Sequence, residues 1–318
     1  MGIIAASVAI TLSLFGLAGL TSAALHRTGH GQKDPAPVSY EEDGTTSALA
    51  IRALEGTIQE LTYEQAYEGV TYEKEALVYV PASYTPGVPA NIVYLTHGWW
   101  GTADGLAEGV APVVDQLTSA GSIAPMIVVF ATYYPDRSFA TEDYEDDYAL
   151  NRFFATTEID TLIKTVESHY TTFARGDTSD ESLRASRRHR AFGGFSMGAT
   201  TTWDVFALQY FYGYIPMAGE SWIGREEDAD SAQIAQLVTA GAERAHYGPQ
   251  DFRIFASVGS LDPALGDMSP QLAQMRADYP DLMTDDSLQM WIDEGESHSM
   301  ASVGNQVAHD LPLLFPPA

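Results

Sequence analysis

The sequence predicts an α/β fold: a mostly parallel central sheet with helices on both faces, forming a single domain. Three observations predict it. Short apolar runs recur at 91–96, 126–132, 190–195 and 252–259, as expected of strands buried on both faces of a parallel sheet. Helical periodicity fills the intervals, and such alternation points to α/β layering. One of the runs passes directly into Gly194-Phe195-Ser196-Met197-Gly198, a G-x-S-x-G pattern in the strand–turn–helix context that places a serine on a sharp bend.

Composition narrows the setting. The chain has 318 residues and 45% hydrophobic content, enough for one large core. Its 43 acidic against 16 basic residues give a net charge of -27, which argues against nucleic acid or an anionic membrane surface as partner. Cysteine is absent, so disulfides, thiolate metal ligands and a cysteine nucleophile are excluded. Residues 1–25 carry no charged side chain and are almost wholly apolar from residue 3. This reads as a signal peptide, with Ser22-Ala23-Ala24 as a small-x-small cleavage site; a retained membrane anchor is the alternative. The expected location is secreted or cell-surface. Residues 26–50 are polar, with glycine and proline and no sustained periodicity, and read as a flexible linker.

The domain is expected over 51–318. Residues 57–64 alternate like a strand, and 75–80 form a second one closed by Pro81. The run at 91–96 is a buried strand ending in His97-Gly98-Trp99-Trp100-Gly101, followed by a helix at about 104–120. The next strand, 126–132, ends in Tyr133-Tyr134-Pro135-Asp136. The acidic run at 142–147 reads as a solvated loop assisting the dipole of a helix at about 150–170, and 174–189 as a polar loop. After the Ser196 strand come a helix to about 209, a strand at 212–217, a helix at about 231–244 and a strand at 252–259. A helix near 269–278, a strand at 288–292 and a last helix to about 314 complete the chain.

The bend implies a serine hydrolase, and a serine hydroxyl needs a base. In this class the order along the chain is serine, acid, histidine. Only His246, His298 and His309 follow Ser196 among eight histidines. His246 precedes the strand that would deliver the acid, and His309 falls in the last helix. His298 occupies a loop just past the last strand and is the expected base. Asp262, just past the 252–259 strand and fixed by Pro263, is the expected acid. Its rivals fit less well: Asp267 lies farther from the strand end, Asp285 sits in a polar loop, and Asp293 ends a strand. Oxyanion charge requires two amides: Met197 supplies one, and Trp99, or else Trp100, the other. His97 precedes the nucleophile and is read as structural. Trp99, Trp100, Tyr133, Tyr134 and Trp222 gather at the same strand ends as candidate substrate contacts, with core packing as their alternative role; Trp203 is assigned to the core, and Glu220, in the loop after the 212–217 strand, is a further candidate substrate contact. No H-E-x-x-H or Gly-rich phosphate loop occurs, so neither metal nor organic cofactor is expected.

These residues carry a resemblance. His97-Gly98-Trp99-Trp100-Gly101, Tyr133-Tyr134, the run 188–199, Pro216-Met217-Ala218-Gly219-Glu220-Ser221-Trp222, Gly259-Ser260-Leu261-Asp262 and the His298 loop resemble carbohydrate esterase family one, which includes feruloyl esterases and acetyl xylan esterases. The resemblance covers roughly 55–318. It implies an α/β-hydrolase fold, with Ser196, Asp262 and His298 matching nucleophile, acid and base. The implied partner is an acylated polysaccharide, an oligosaccharide or a small aryl or acyl ester, and the implied reaction is removal of feruloyl or acetyl groups from plant cell-wall polysaccharide such as xylan. Two features depart from the family pattern: Glu220 stands where an aspartate is usual, and two tryptophans follow His97-Gly98. A related serine esterase or acyltransferase acting on another small ester is the alternative, followed by a non-catalytic glycan-binding surface protein.

Overall fold

Among the described residues eight strands pair into one sheet: β1 (Thr57–Tyr67), β2 (Val70–Val80), β3 (Asn91–Thr96), β4 (Met126–Ala131), β5 (Arg190–Phe195), β6 (Gly213–Met217), β7 (Arg253–Gly259) and β8 (Leu288–Asp293). The computed structural model describes residues 54–206 and 210–317. The expected leader at 1–25 and linker at 26–50 therefore lie outside the described residues.

The strand order is β1-β2-β4-β3-β5-β6-β7-β8. From β4 through β3 to β8 every pairing is parallel, while β1 and β2 add an antiparallel edge. Every residue of β4, β5 and β6 is buried, and their composition is apolar to match, except for Arg190 at the start of β5, whose guanidinium is paired with buried Glu167. β1, at the edge, is mostly exposed and polar. The edge hairpin is longer than its apolar core suggested, because Glu68 and Gly69 both take positive φ and make the two-residue turn whose twist suits paired strands.

Among the described residues eight α-helices connect and cover the sheet: α1 (Ala103–Ser119), α2 (Tyr148–Phe153), α3 (Ile159–His169), α4 (Asp180–Ala185), α5 (Met197–Val205), α6 (Ser231–Arg244), α7 (Leu265–Asp278) and α8 (Met300–Leu314). Two differ from the sequence expectation. The single helix expected at 150–170 is α2 and α3 joined by one wide π-type turn over Phe154–Glu158. Such a turn inserts a residue without ending the helix. Here it carries Glu158 inward, to an ion pair with buried Lys74 and a 2.7 Å hydrogen bond from the Tyr63 hydroxyl. The other difference is α4, hidden in the expected polar loop because Leu183 is its one buried residue.

β3 runs to β4 on one side, and the chain then crosses back to β5 on the other. The reversal makes β3 and β5 the switch point of the sheet, where open α/β sheets leave a crevice at the strand C-termini. Thr96 pairs with Gly194 there, so the 97–101 loop and Ser196 leave the sheet side by side.

Candidate active site

Ser196 follows β5 directly and has φ 57° and ψ −116°, a conformation rare for a residue with a Cβ. Close packing holds it. The Ser196 amide donates to the Met217 carbonyl at 2.9 Å. A Cβ on Gly198 would lie 2.2 Å from the Thr96 carbonyl oxygen, and one on Gly194 would lie 2.5 Å from the Gly198 oxygen. Glycine is required at both positions because the opposing atoms are backbone. α5 begins at Met197, and the Ser196 hydroxyl has no hydrogen-bond partner among the described residues.

His298 lies in the loop between β8 and α8, just before the α8 cap Ser299. Its Nδ1 is 2.8 Å from Asp262 Oδ2, and its ring rests 4.4 Å from that of Phe195, the residue before the serine. A carboxylate only accepts, so Nδ1 carries the proton and Nε2 is the free basic nitrogen. Asp262 is 4% exposed, and its Oδ1 accepts from the Ala264 amide at 2.9 Å. The two loops are tied together: the Leu261 amide donates to the Glu296 carbonyl at 2.8 Å and the Gly295 amide to Ser260 Oγ at 2.8 Å.

The rivals have other roles. Asp293 accepts from Ser302 Oγ and Asn305 Nδ2 and so joins β8 to α8. Asp267 is in the first turn of α7. His246 is exposed beyond α6, and His309 stacks on Trp291 within α8.

The loop after β3 is fixed at almost every polar atom. Gly98 O accepts from the Gly101 amide at 2.9 Å and from His97 Nδ1 at 2.7 Å. Arg137 donates to the carbonyls of Trp100 and Gly101 at 2.7 and 2.8 Å. The Trp100 amide, on a residue with φ 59°, donates to the Tyr134 hydroxyl at 3.1 Å. Of the two amides considered for the oxyanion, that of Trp100 is thus occupied. The Trp99 and Met197 amides have no partner among the described residues.

His97 is structural, as its position in the chain implied. Burial lowers its pKa to about 4, so the ring is neutral near neutral pH. Nδ1–H donates to the Gly98 carbonyl, and Nε2, 2.8 Å from Thr132 Oγ1, accepts from that hydroxyl.

The aromatic candidates divide. Trp100 is 40% exposed, with the Arg137 guanidinium 5.3 Å from its ring centroid, and remains available to a ligand. Tyr133 and Tyr134 do not. They are 0% and 2% exposed, and their hydroxyls donate to Asp147 Oδ2 at 3.0 and 2.5 Å. The carboxylate that buries them lies in the acidic run expected to be solvated: Asp147 is wholly buried, which raises its pKa to about 6 against the lowering effect of the two tyrosine bonds. Trp222 is 6% exposed, packed between Tyr144 and Tyr148 under the Arg225 guanidinium. Glu220 is half-buried and accepts from Trp222 Nε1 at 2.7 Å. Burial of its carboxyl raises the pKa. Trp203 is in the core, as expected.

Sequence reading missed Asp147, Asn151, Tyr144 and Arg137. Asn151 donates from Nδ2 to the Met197 carbonyl at 3.1 Å and to Thr201 Oγ1 at 2.8 Å. Tyr144 joins Trp99 to Trp222 by ring contacts of 6.0 and 5.7 Å. The available signal was Asn151 itself, a polar residue on a helix face shared with Leu150 and Phe154.

A parallel sheet with a serine on a strained strand–helix bend at its switch point, beside a loop-borne His–Asp pair, is the arrangement of the α/β-hydrolases. Residues 68–278 match the family model described as putative esterase, and the chain belongs to that esterase family. A curated relative, endo-1,4-beta-xylanase Y of Acetivibrio thermocellus, is 29% identical over 261 residues, covering 79% of this chain. The chain spans 23% of that relative's length. Among solved structures, a mutant feruloyl esterase module from Clostridium thermocellum complexed with sinapinate superposes with a TM-score of 0.70 at 28% identity, covering 82% of this chain and 89% of that one. A ferulic acid esterase from the anaerobic fungus Anaeromyces mucronatus shares the fold, with a TM-score of 0.59 at 18% identity over 81% of this chain and 89% of that one.

Proposed function

We propose that the protein removes feruloyl or acetyl groups from plant cell-wall polysaccharide such as xylan, through an acyl-enzyme on Ser196. The observation that carries the chemistry is the 2.8 Å Asp262–His298 bond, formed beside a serine held at positive φ. The sinapinate-bound feruloyl esterase module and the relative named as a xylanase support the acyl group and the polymer. The uncharged run at 3–25 favours action outside the cell or at its surface.

His298 Nε2 takes the proton from Ser196 Oγ as that oxygen attacks the ester carbonyl carbon. The carbonyl oxygen becomes an oxyanion on the Trp99 and Met197 amides. Asp262 holds the imidazole in its Nδ1–H tautomer and stabilises the imidazolium. Collapse of the intermediate breaks the bond to the sugar oxygen, which leaves with the proton from His298. Water then attacks the acyl-enzyme with His298 again as base, releasing the free acid. Trp100 at the rim, with Glu220 and the Trp222 edge across the crevice, would contact the acyl or sugar moiety.

The test is hydrolysis of methyl ferulate and of acetylated and feruloylated xylan by the wild type and Ser196→Ala. The expected result is release of acid by the wild type and a loss of several orders of magnitude in a folded variant. Near wild-type rates in the variant would overturn the assignment.

A further inference from the structure

Asp147 and Asn151 are four residues apart. Asp147 has helical backbone angles and leads directly into α2, so the two side chains lie one above the other on a single helix face. Both are 0% exposed. Between them they reach both strands of the switch point. Asp147 Oδ2 fixes the Tyr134 hydroxyl, which accepts the Trp100 amide. Asn151 Nδ2 holds the Met197 carbonyl, and Thr201 Oγ1 donates to that same carbonyl at 3.1 Å.

We infer that this one helical turn is the positioning device of the oxyanion hole: Asp147 through Tyr134, and Asn151 directly, set the spacing between the Trp99 and Met197 amides. The inference rests on the reading of Ser196 as nucleophile. Its logic is geometric. The two amides come from separate loops, β3 to α1 and β5 to α5, and neither loop touches the other through a hydrogen bond among the described residues. A pair of donors is effective only when both meet the same oxygen, and their alignment must exist before the charge forms. Occupying the Trp100 amide also leaves Trp99 as the donor on its loop. Neither Asp147 nor Asn151 would meet substrate.

The experiment compares Tyr134→Phe and Asn151→Ala with the wild type. Tyr134→Phe keeps the buried ring and removes only the hydroxyl. The readouts are kcat and KM on methyl ferulate, affinity for an arylboronic acid that forms a tetrahedral adduct on the serine, and affinity for methyl ferulate measured in a Ser196→Ala background. Misplacing one amide should lower kcat by about tenfold, less than the hundredfold or more seen when a donor is removed. Boronate affinity should fall in parallel, with KM and ground-state ester affinity within twofold. Two outcomes overturn the inference: kcat within twofold of wild type in both variants, or equal losses in ester and boronate affinity, as a merely structural role would give. Labelling of the wild type by a fluorophosphonate, lost in Ser196→Ala, separates the two failures. If that labelling is absent the nucleophile reading falls; if it is present and the variants behave as wild type, only the positioning role falls.

Discussion

The Asp262 carboxylate is shared between two donors on opposite sides: Oδ1 takes the Ala264 amide at 2.9 Å and Oδ2 takes His298 Nδ1 at 2.8 Å. The first bond belongs to the turn that opens α7 and fixes the carboxylate whether or not the histidine is present. The imidazole is therefore docked onto a preset acceptor.

Replacing Asp262 by Asn would offer the ring a group able to donate, favouring the tautomer with the proton on Nε2 and leaving no base for the serine. The expected loss in kcat is about 10³ to 10⁴-fold, with the fold retained. Asp267→Asn, in the first turn of α7, should stay within about threefold. Steady-state kinetics on methyl ferulate decide the matter, and the opposite ranking would move the acid to Asp267.

Much of the candidate site was legible because its proposed members sit where strand ends force them to be. Ser196 and Asp262 follow runs that are recognisable because β5 and β7 are buried on both faces, while His298 follows the shorter apolar run of the partly exposed edge strand β8. The support for the site was less visible. Tyr133 and Tyr134 also follow a strand, but burial depends on what lies above them, and Asp147 sits in a run of charge that resembles a solvated loop. An acidic residue turned inward differs from its neighbours only through partners distant in sequence. The same holds for Asn151, whose partner Met197 is 46 residues away.

The elbow is the least tolerant part of the chain. A methyl at Gly198 would stand 2.2 Å from the Thr96 carbonyl oxygen and 2.9 Å from that of His97. Neither backbone atom can retreat without breaking the β3–β5 register. Gly198→Ala should lose activity and destabilise by several kcal/mol, the range of severe overpacking at a site that cannot relax. Gly266→Ala, in α7 with open space around it, is the control and should melt within a few degrees of wild type. Thermal melts of the two variants test this, and a wild-type melting curve for Gly198→Ala would be incompatible with the packing described.

Asp147 predicts a pH signature. Its carboxyl is pushed up to about 6, first by burial; Tyr134 and Tyr133 pull it down by donating, Asp146 raises it and Arg137 lowers it. In the unfolded chain the group titrates near 3.8. Between these values the unfolded chain has released the proton while the folded protein keeps it. Stability from this group is then full below about pH 3.8 and declines as pH rises through about 6. Asp147→Asn has no such proton to lose. Whatever the variant forfeits in hydrogen bonding to the tyrosines should be constant with pH, so its deficit relative to wild type should be largest near pH 4 and shrink towards pH 7. Chemical denaturation of both proteins across that range measures the gap. A gap that stays constant, or widens with pH, would mean that Asp147 is ionised throughout in the folded protein.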